Sequence, residues 1–419
     1  MTLGKLASIL SLLAITLSCA GKSTINNNPD LEVPNAPSDL HARAYSPTEI
    51  KLDWRDNSTN EDFFAIYRYD RLSAAFGLIA RTNANVAAYS DIDVEDSTEY
   101  MYYIVAENGD TASDRSNLAS ATTFVDGMYY IGSLQGNFPN GDLALGNGSV
   151  FIGSSDSIIT AINILFPQNP VIDQRYQVPG EIHSLMKSND NLVLSLGLGG
   201  VLLVSAYNPV DLQTLGRCYT PNRATNATAS AGYIYAMDDS LLCVIDAVIP
   251  QNPVQVSTFT DDAIATTNAL VADGNFVFLA CGDSGLQVIN VADRQYPVIV
   301  GRLDTPGNAR DLVKRGQYIF MADGIDGLKI IDVLYPNNPL LFSSYHTSGE
   351  ISLVAIDGNY VYLVDSQTRL FIIDIGVIAY PIYAAMYSSP SPILSLAAKD
   401  GEIYLNVAGS GLTILQYNP

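Results

Sequence analysis

The stretch Gly327-Leu-Lys-Ile-Ile-Asp332, with Asn338-Pro339 shortly after it, decides the fold, because it returns along the chain at a nearly constant spacing. Its last three residues, Ile330-Ile-Asp332, are one of seven equivalent triplets along the chain. The last positions of these triplets are separated by 42, 41, 44, 42, 42 and 42 residues. The triplets occupy residues 161–163, 203–205, 244–246, 288–290, 330–332, 372–374 and 414–416. A proline lies seven positions after each of the first six, except that Leu212 replaces it in the second repeat. A β-rich unit that recurs about every 40 residues buries its faces against neighbouring units.

The repeat at residues 309–349 shows how many strands a unit contains. Its β-type runs are residues 310–314, 318–322, 328–332 and 340–345. The stretch Asp323-Gly-Ile-Asp-Gly327 supplies residues that suit a tight reversal between the second and third runs. Pro339 lacks the N–H that a central strand donates, so the fourth run should lie on the outside of the sheet. Four strands and no helix in each repeat predict an all-β fold, a β-propeller with one blade for each repeat.

The seventh repeat ends too early to contain a fourth strand. Residues 128–135, in front of the first repeat, read Met128-Tyr-Tyr-Ile-Gly132-Ser-Leu134 and resemble Pro297-Val-Ile-Val-Gly301-Arg-Leu303, the fourth strand of the fourth repeat. We expect this strand to pair with the last three strands, which removes the exposed edges of an open sheet. Residues 127–419 are therefore predicted to form a seven-bladed β-propeller closed by an N-terminal strand. The alternative is an open β-solenoid of the same repeats, which leaves the front strand unexplained.

These repeats resemble the LVIVD repeat family of bacterial and archaeal surface propellers. The resemblance rests on a glycine, an apolar triplet that closes on Asp, and a following Asn-Pro, as in Gly327 to Pro339. The repeats that end at Ser205 and Gln416 depart from the Asp, and Leu212 departs from the Pro. The resemblance implies the fold over residues 127–419 and implies no catalytic motif.

The front of the chain has the features of an export signal. Lys5 precedes an apolar stretch of 12 residues, 6–17, which is shorter than the roughly 20 residues that a membrane-spanning helix needs. Leu17-Ser18-Cys19 resembles the lipobox of bacterial lipoproteins, although Thr16 departs from its apolar pattern. The resemblance implies a signal peptide at 1–19 and lipidation of Cys19, and the alternative is an ordinary secretory signal. The polar residues 20–33 are predicted to be a flexible tether between the lipid and the first folded unit.

Residues 34–124 form a separate β-rich unit in the sequence. Apolar and aromatic runs at 49–54, 64–68 and 100–106 predict strands. With Leu52-Asp-Trp54 and Thr98-Glu-Tyr100, the unit resembles a fibronectin type III domain, a seven-stranded sandwich. The resemblance implies that Trp54 is a core residue and that Tyr100 is a corner tyrosine bonded back to the chain.

Composition excludes several classes of function. The net charge of −22 disfavours nucleic acid and anionic membranes, so we expect no nucleic-acid partner and membrane contact through a lipid anchor only. The three histidines lie in unrelated contexts, which argues against a histidine-based catalytic triad or a multi-histidine metal site. Trp54 is the only tryptophan, whereas quinone-dependent propeller enzymes rely on repeated tryptophan motifs. Cys218, Cys243 and Cys281 follow no metal-binding spacing and suit buried apolar positions.

Acidic residues recur in the loops between the second and third strands of successive repeats. They are Asp156, Asp238, Asp239, Asp283, Asp323, Asp326 and Asp365. If Asp239, Asp283 and Asp326 converge at the channel mouth, they can supply oxygen ligands to Ca²⁺, the only cofactor that the sequence raises. The alternative, which the pattern favours, is that these residues build local turns. Asp246, Asp332 and Asp374 end third strands and are predicted to have a structural role in the connection to the Asn-Pro turn.

Two functions of different classes follow from this organisation. The first is a non-enzymatic, lipid-anchored cell-envelope protein, on the outer membrane or cell surface, whose propeller binds a protein or glycan partner on a fibronectin-like spacer. The second is a propeller hydrolase or lyase that acts on polysaccharide with paired carboxylates on the propeller face. A deep pocket with two carboxylates would favour the enzyme, and a shallow face would favour binding.

Overall fold

The computed structural model describes residues 32–70, 73–125, 127–366 and 368–418. The predicted signal peptide with Cys19, and most of the predicted tether, lie outside the described residues. The regular secondary structure of the described part is β-strand, apart from one helical element, a short 3-10 turn at Asp262–Ile264. The prediction of an all-β chain is confirmed, apart from this turn.

The N-terminal unit consists of two antiparallel sheets that pack against each other. The first has the order β1-β2-β5, and the second has the order β4-β3-β6-β7, with β8 also paired to β6. Their strands are β1 Ser38–Ser46, β2 Glu49–Arg55, β3 Phe63–Asp70, β4 Ala75–Asn83, β5 Ala88–Asp91, β6 Glu99–Asn108, β7 Thr111–Ala112 and β8 Ala119–Thr122. Alternate residues of β2 are buried, as expected for a strand with one covered face. The buried residues Ile50, Phe64 and Ile104 belong to the core between the two sheets.

The rest of the described chain forms seven four-stranded antiparallel sheets, here called ring sheets 1 to 7. Ring sheet 1 contains β10 Asp142–Leu145, β11 Ser149–Ser154, β12 Ile158–Asn163 and β13 Val171–Gln177; ring sheet 2 contains β14 Ser184–Ser188, β15 Asn191–Ser195, β16 Val201–Ser205 and β17 Gln213–Cys218; ring sheet 3 contains β18 Ala224–Ser230, β19 Tyr233–Asp238, β20 Leu241–Asp246 and β21 Val254–Thr260. Ring sheet 4 contains β22 Ala269–Asp273, β23 Phe276–Ala280, β24 Leu286–Asn290 and β25 Val298–Leu303; ring sheet 5 contains β26 Asp311–Arg315, β27 Tyr318–Ala322, β28 Leu328–Asp332 and β29 Leu340–Tyr345; ring sheet 6 contains β30 Ile351–Asp357, β31 Tyr360–Asp365, β32 Arg369–Asp374 and β33 Ile382–Ser388. Ring sheet 7 contains β34 Ile393–Lys399, β35 Glu402–Val407 and β36 Gly411–Tyr417, together with β9 Met128–Leu134.

The seven sheets close into a ring. The first strands of consecutive ring sheets contact each other in order, and β34 of the last sheet contacts β10 of the first. The second and third strands are buried on both faces, as in β27, where Ile319 to Ala322 are all buried. Apolar cores lie between neighbouring sheets, so no ring sheet buries its faces alone.

β9 supplies the missing fourth strand of ring sheet 7. It pairs antiparallel with β36, with Ile414 opposite Gly132 and Tyr417 opposite Met128. This is the pairing that the orphan strand in the sequence predicts. Gly411, at the start of β36, has φ +92°, and a Cβ there would lie 2.3 Å from the carbonyl oxygen of Leu134, so only glycine fits beside the closing strand.

Each third-to-fourth strand turn is held by the sheet before it in the ring. At Gly132 and Gly301, in fourth strands, an added Cβ would lie 2.2 and 2.1 Å from the carbonyl oxygens of Pro167 and Pro336 in the turns of the next sheets. At the equivalent place in ring sheet 3, the Ser257 hydroxyl donates to the Arg294 carbonyl at 2.6 Å. The turns are therefore fixed in position around the whole ring.

The N-terminal unit packs against ring sheet 7. β1 contacts β9, and the rings of Tyr45 and Tyr130 lie 5.9 Å apart. Ala44 and Phe124 belong to the same buried cluster as Met128. The N-terminal unit consequently lies against the closing strand.

Candidate functional site

The first strands of all seven ring sheets enclose a cavity on the ring axis. Its volume is about 540 Å³, and each of the seven strands contributes to its wall. This volume lies in the range of small-ligand pockets, about 300–1,000 Å³. The axial cavity is therefore the first candidate site.

Five polar side chains occupy one level of the axial cavity. The strand register places Asp142, Ser184, Asn226, Asp311 and Ser395 at equivalent positions of their first strands. All five line the cavity. Repeat spacing alone could have shown their equivalence, but it could not show that this position faces the axis.

The two aspartates at this level link neighbouring sheets. Asp142 accepts hydrogen bonds from the N–H of Leu143 at 2.8 Å and from the N–H of Leu185, in ring sheet 2, at 2.9 Å. Asp311 accepts from the next residue of its own strand at 2.8 Å and from Val354, in ring sheet 6, at 2.9 Å. Each of the four carboxyl oxygens therefore accepts a hydrogen bond from a backbone N–H.

Removal from bulk water raises the pKa of both carboxyl groups. Burial raises the pKa of Asp311 to about 7, with a further contribution from the charge of Asp142 and an opposing one from the two backbone donors. Burial also raises the pKa of Asp142, against the same kind of backbone hydrogen bonds. The charged form of each group is thus disfavoured inside the ring.

The three carboxylates predicted to bind Ca²⁺ are not brought together. Within residues 32–70, 73–125, 127–366 and 368–418 there is no group of three or more His, Cys, Asp or Glu side chains that could hold a metal ion. Asp326 pairs with the buried Lys329, Asp283 accepts from the Asn308 amide at 2.6 Å, and Asp239 is exposed. The prediction of a cation site at Asp239, Asp283 and Asp326 is wrong, because local partners take up two of these carboxylates.

Other acidic residues of the same loops accept hydrogen bonds from nearby residues. Asp238 is fully buried and accepts from the Asn222 N–H at 2.7 Å, and Asp323 is fully buried and accepts from the Thr305 hydroxyl at 2.8 Å. Asp365 accepts from the Arg369 Nε at 2.6 Å. Asp238 and Asp323 thus hold the connection that precedes their ring sheet, and the Asp365 contact lies within the turn between β31 and β32.

The aspartates at the ends of third strands cap the following turn. Asp246 accepts from the Val248 N–H at 3.0 Å, and Asp332 accepts from the Leu334 N–H at 2.8 Å. Asp374 makes the same contact with the backbone two residues later, at 2.6 Å. Each side chain bonds to the backbone two residues ahead, the arrangement of an Asx turn, and so fixes the start of the turn.

These turns carry large apolar side chains that face solvent. We call the set the crown: it contains eleven residues that are 56% to 80% exposed. They are Leu165, Phe166, Tyr207, Val210, Val248, Ile249, Tyr296, Leu334, Tyr335, Val377 and Tyr380. Because the seven sheets share one strand order, the third-to-fourth turns lie on the same face of the ring. The crown is the second candidate site, and sequence reasoning missed it because apolar residues beside a strand resemble core residues.

Trp54 and Tyr100, which the sequence analysis named, both lie within the N-terminal unit. Trp54 is 6% exposed and packs edge-on against Phe64, with ring centroids 5.5 Å apart. The Tyr100 hydroxyl accepts from the backbone N–H of Glu95 at 2.9 Å. Both side chains support the unit itself and neither faces the crown or the axial cavity.

The three cysteines of the ring are free and buried, so burial raises the pKa of Cys243 to about 12 and that of Cys281 to about 11. None of them is placed to act as a reactive thiol.

Among the described residues, no helix is long and apolar enough to cross a bilayer.

Part of the chain matches a known repeat family. Residues 266–305, 306–347 and 348–391 each match the LVIVD repeat. No curated protein matches the sequence significantly.

Several solved structures are similar to this chain over about 70% of its length. The β-propeller domain of Cps50 (Swd1) from Myceliophteria thermophila superimposes with a TM-score of 0.58 and 14% identity, over 70% of this chain and 100% of that one. The computationally designed Ika8 protein gives a TM-score of 0.54 and 14% identity, over 69% and 99% of the two chains. A chain of the mitotic checkpoint complex gives 0.55 and 10%, over 70% and 92%. These similarities show that the chain contains a β-propeller.

Asp311 should make the stability of the ring depend on pH. Its raised pKa means that the folded protein keeps a proton that the unfolded chain releases, so the stabilising effect is full below about pH 3.8 and is lost as the pH rises through about 7. Relative to Asp311→Asn, the wild type should lose roughly 2–4 kcal/mol between pH 4.5 and 7.5, since each pKa unit corresponds to about 1.4 kcal/mol. Urea unfolding of both proteins across this range, with a chelator present, measures the difference. Parallel pH profiles of the two proteins would contradict it.

Proposed function

We propose that the chain is a non-enzymatic, lipid-anchored protein of the cell envelope whose propeller binds a protein partner through the crown. A fibronectin type III-like unit would hold the propeller away from the anchor. The observation that carries this proposal is the crown itself, a set of large apolar side chains on one face of the ring. A face that exposes many large apolar side chains is a candidate interaction surface.

The architecture supports a propeller of seven blades. Seven four-stranded sheets have their first strands in cyclic contact, and β9 completes the last sheet. Support for the fibronectin-like assignment comes from two packed antiparallel sheets, from the buried Trp54 and from the Tyr100–Glu95 hydrogen bond. The crown lies on the turns that such a platform would present.

The chemistry of the crown suits a protein partner. Four of its members are tyrosines, a residue type enriched in protein interfaces. The six turns contain only three charged residues, Asp211, Asp293 and Arg294, in a chain with net charge −22. Asx turns at their start and the neighbouring sheets on their side hold these turns in place, which lowers the entropic cost of binding. A glycan partner could stack on the same tyrosines, although these lie on separate sheets rather than along one groove.

Photo-crosslinking in the native envelope tests the proposal. A photoreactive phenylalanine analogue in place of Tyr335 or Tyr380 should yield a discrete protein adduct, because both side chains are about as exposed as any in the ring, at 69% and 76%. The matched controls are Leu198 and Ile325, which are 74% and 75% exposed on the second-to-third strand loops of the opposite face. These positions should give no such adduct.

A second change separates a specific interface from general stickiness. Leu334→Ser should reduce the adduct formed at position 380 by about tenfold or more if the crown is one interface, since truncation of a central apolar contact costs about 1–2 kcal/mol or more. Equal adducts from both faces, or none from the crown, would contradict the proposal.

The polysaccharide hydrolase or lyase is the weaker candidate. The axial cavity does hold two carboxyl groups, Asp142 and Asp311. However, each carboxyl group accepts one backbone N–H from its own strand and one from the neighbouring sheet, which suits a role in joining sheets. A general acid and a general base must instead be free to transfer protons with a substrate.

Anchoring is tested at Cys19, outside the described residues. Cys19→Ser should move the protein from the membrane fraction to the soluble fraction, because the acyl chains would supply the attachment. Fractionation of cells that express each form, followed by immunoblotting, measures the change. Retention of the variant in membranes at the wild-type level would exclude a lipid anchor at this residue.

A further inference from the structure

The polar level of the axial cavity contains an unused hydrogen-bonding group. Ser395 is 5% exposed and lines the cavity, and its hydroxyl oxygen has no hydrogen-bond partner within the described residues. A buried polar group without a partner costs free energy, and native structures satisfy nearly all such groups with protein, water or ligand. Ser395 occupies the same register position as Asp142 and Asp311, so the three side chains share one level of the wall.

The two carboxyl groups at this level have no cationic partner. In the part of the chain that the structure describes, neither Asp142 nor Asp311 forms an ion pair. The two cationic side chains of the cavity wall are paired elsewhere, since Arg310 contacts Glu350 and Lys314 contacts Asp273. Each carboxylate oxygen holds one N–H group and retains a second acceptor position.

We propose that the axial cavity binds one hydrated divalent cation, Ca²⁺, between Asp142 and Asp311, with the Ser395 hydroxyl bonded to its water shell. Calcium takes six to eight oxygen ligands and tolerates irregular geometry, so water can fill the positions that two carboxylates leave open. With about 30 Å³ for each water, an ion with its shell needs on the order of 250 Å³, which the cavity of about 540 Å³ accommodates. Such an ion would compensate the two inward-facing charges and join ring sheets 1, 5 and 7 across the axis.

This site is distinct from the loop carboxylates that the sequence suggested. Those residues lie on the second-to-third strand loops, whereas Asp142, Asp311 and Ser395 lie on first strands. It is also independent of the crown, which consists of third-to-fourth strand turns. Failure of the cation site would therefore leave the proposed binding function untouched.

Calcium titration of the full chain tests the site. At fixed ionic strength, saturating Ca²⁺ should raise the melting temperature of the propeller by a few degrees, because the ion binds only the closed ring. Mg²⁺ should raise it less, since it retains its waters in a tighter octahedron. Isothermal titration calorimetry should show one site for each chain.

Matched variants locate the ion. Asp142→Asn and Asp311→Asn should each weaken calcium binding by about tenfold or more, and Ser395→Ala, which leaves both sheet-joining carboxylates in place, by a smaller factor of about three. The control is Asp239→Asn, an exposed loop carboxylate with φ +53° that asparagine tolerates, which should bind calcium as the wild type does. No calcium response in the wild type overturns the proposal, and so does a response that survives in Asp311→Asn and Ser395→Ala.

Discussion

The pairing of β9 with β36 is the interaction on which the rest of the ring depends. It joins residues 128–134 to residues 412–417 at opposite ends of the repeat region, with Ile414 facing Gly132. Without it, ring sheet 7 would have three strands and β36 would expose an unpaired edge. With it, the first strand of ring sheet 7 is held against the first strand of ring sheet 1, and the axial cavity has a complete wall.

Closure also determines what each face of the ring presents. Fourth strands hold the turns of the next sheet through close backbone approaches at Gly132 and Gly301 and through a hydrogen bond from Ser257. Because β9 is itself a fourth strand, it holds the turn of ring sheet 1 and continues this series across the seam. The turns that carry the crown are thus held against the neighbouring sheets. The same geometry directs one residue of each first strand towards the axis, and this places Asp142 and Asp311 in one cavity.

The sequence predicted what is local or periodic. Fixed spacing located the strands, and Pro339 marked the start of an outer strand, β29, at Leu340. The roles of Asp332 and Asp374 followed from turn chemistry two residues ahead. The predicted convergence of Asp239, Asp283 and Asp326 was wrong. Equivalent loops need not point their side chains at one another, and Asp326 forms an ion pair with Lys329 in its own loop. The pair Asp142 and Asp311 was missed for the converse reason, since their proximity arises from ring closure between sheets that are far apart in sequence.

Hydrogen exchange in the full chain, with β9 replaced by a glycine–serine stretch of equal length, tests the closing role of β9 most directly. The matched control replaces β29, the outer strand of ring sheet 5, in the same way. If β9 closes the ring, its replacement should remove protection from β36 and also from the first strands of ring sheets 1 and 7, because the seam opens. The control should lose protection mainly within ring sheet 5, where the chain itself still joins the neighbouring sheets. Protection of β36 that is unchanged after replacement of β9 would contradict closure by this strand.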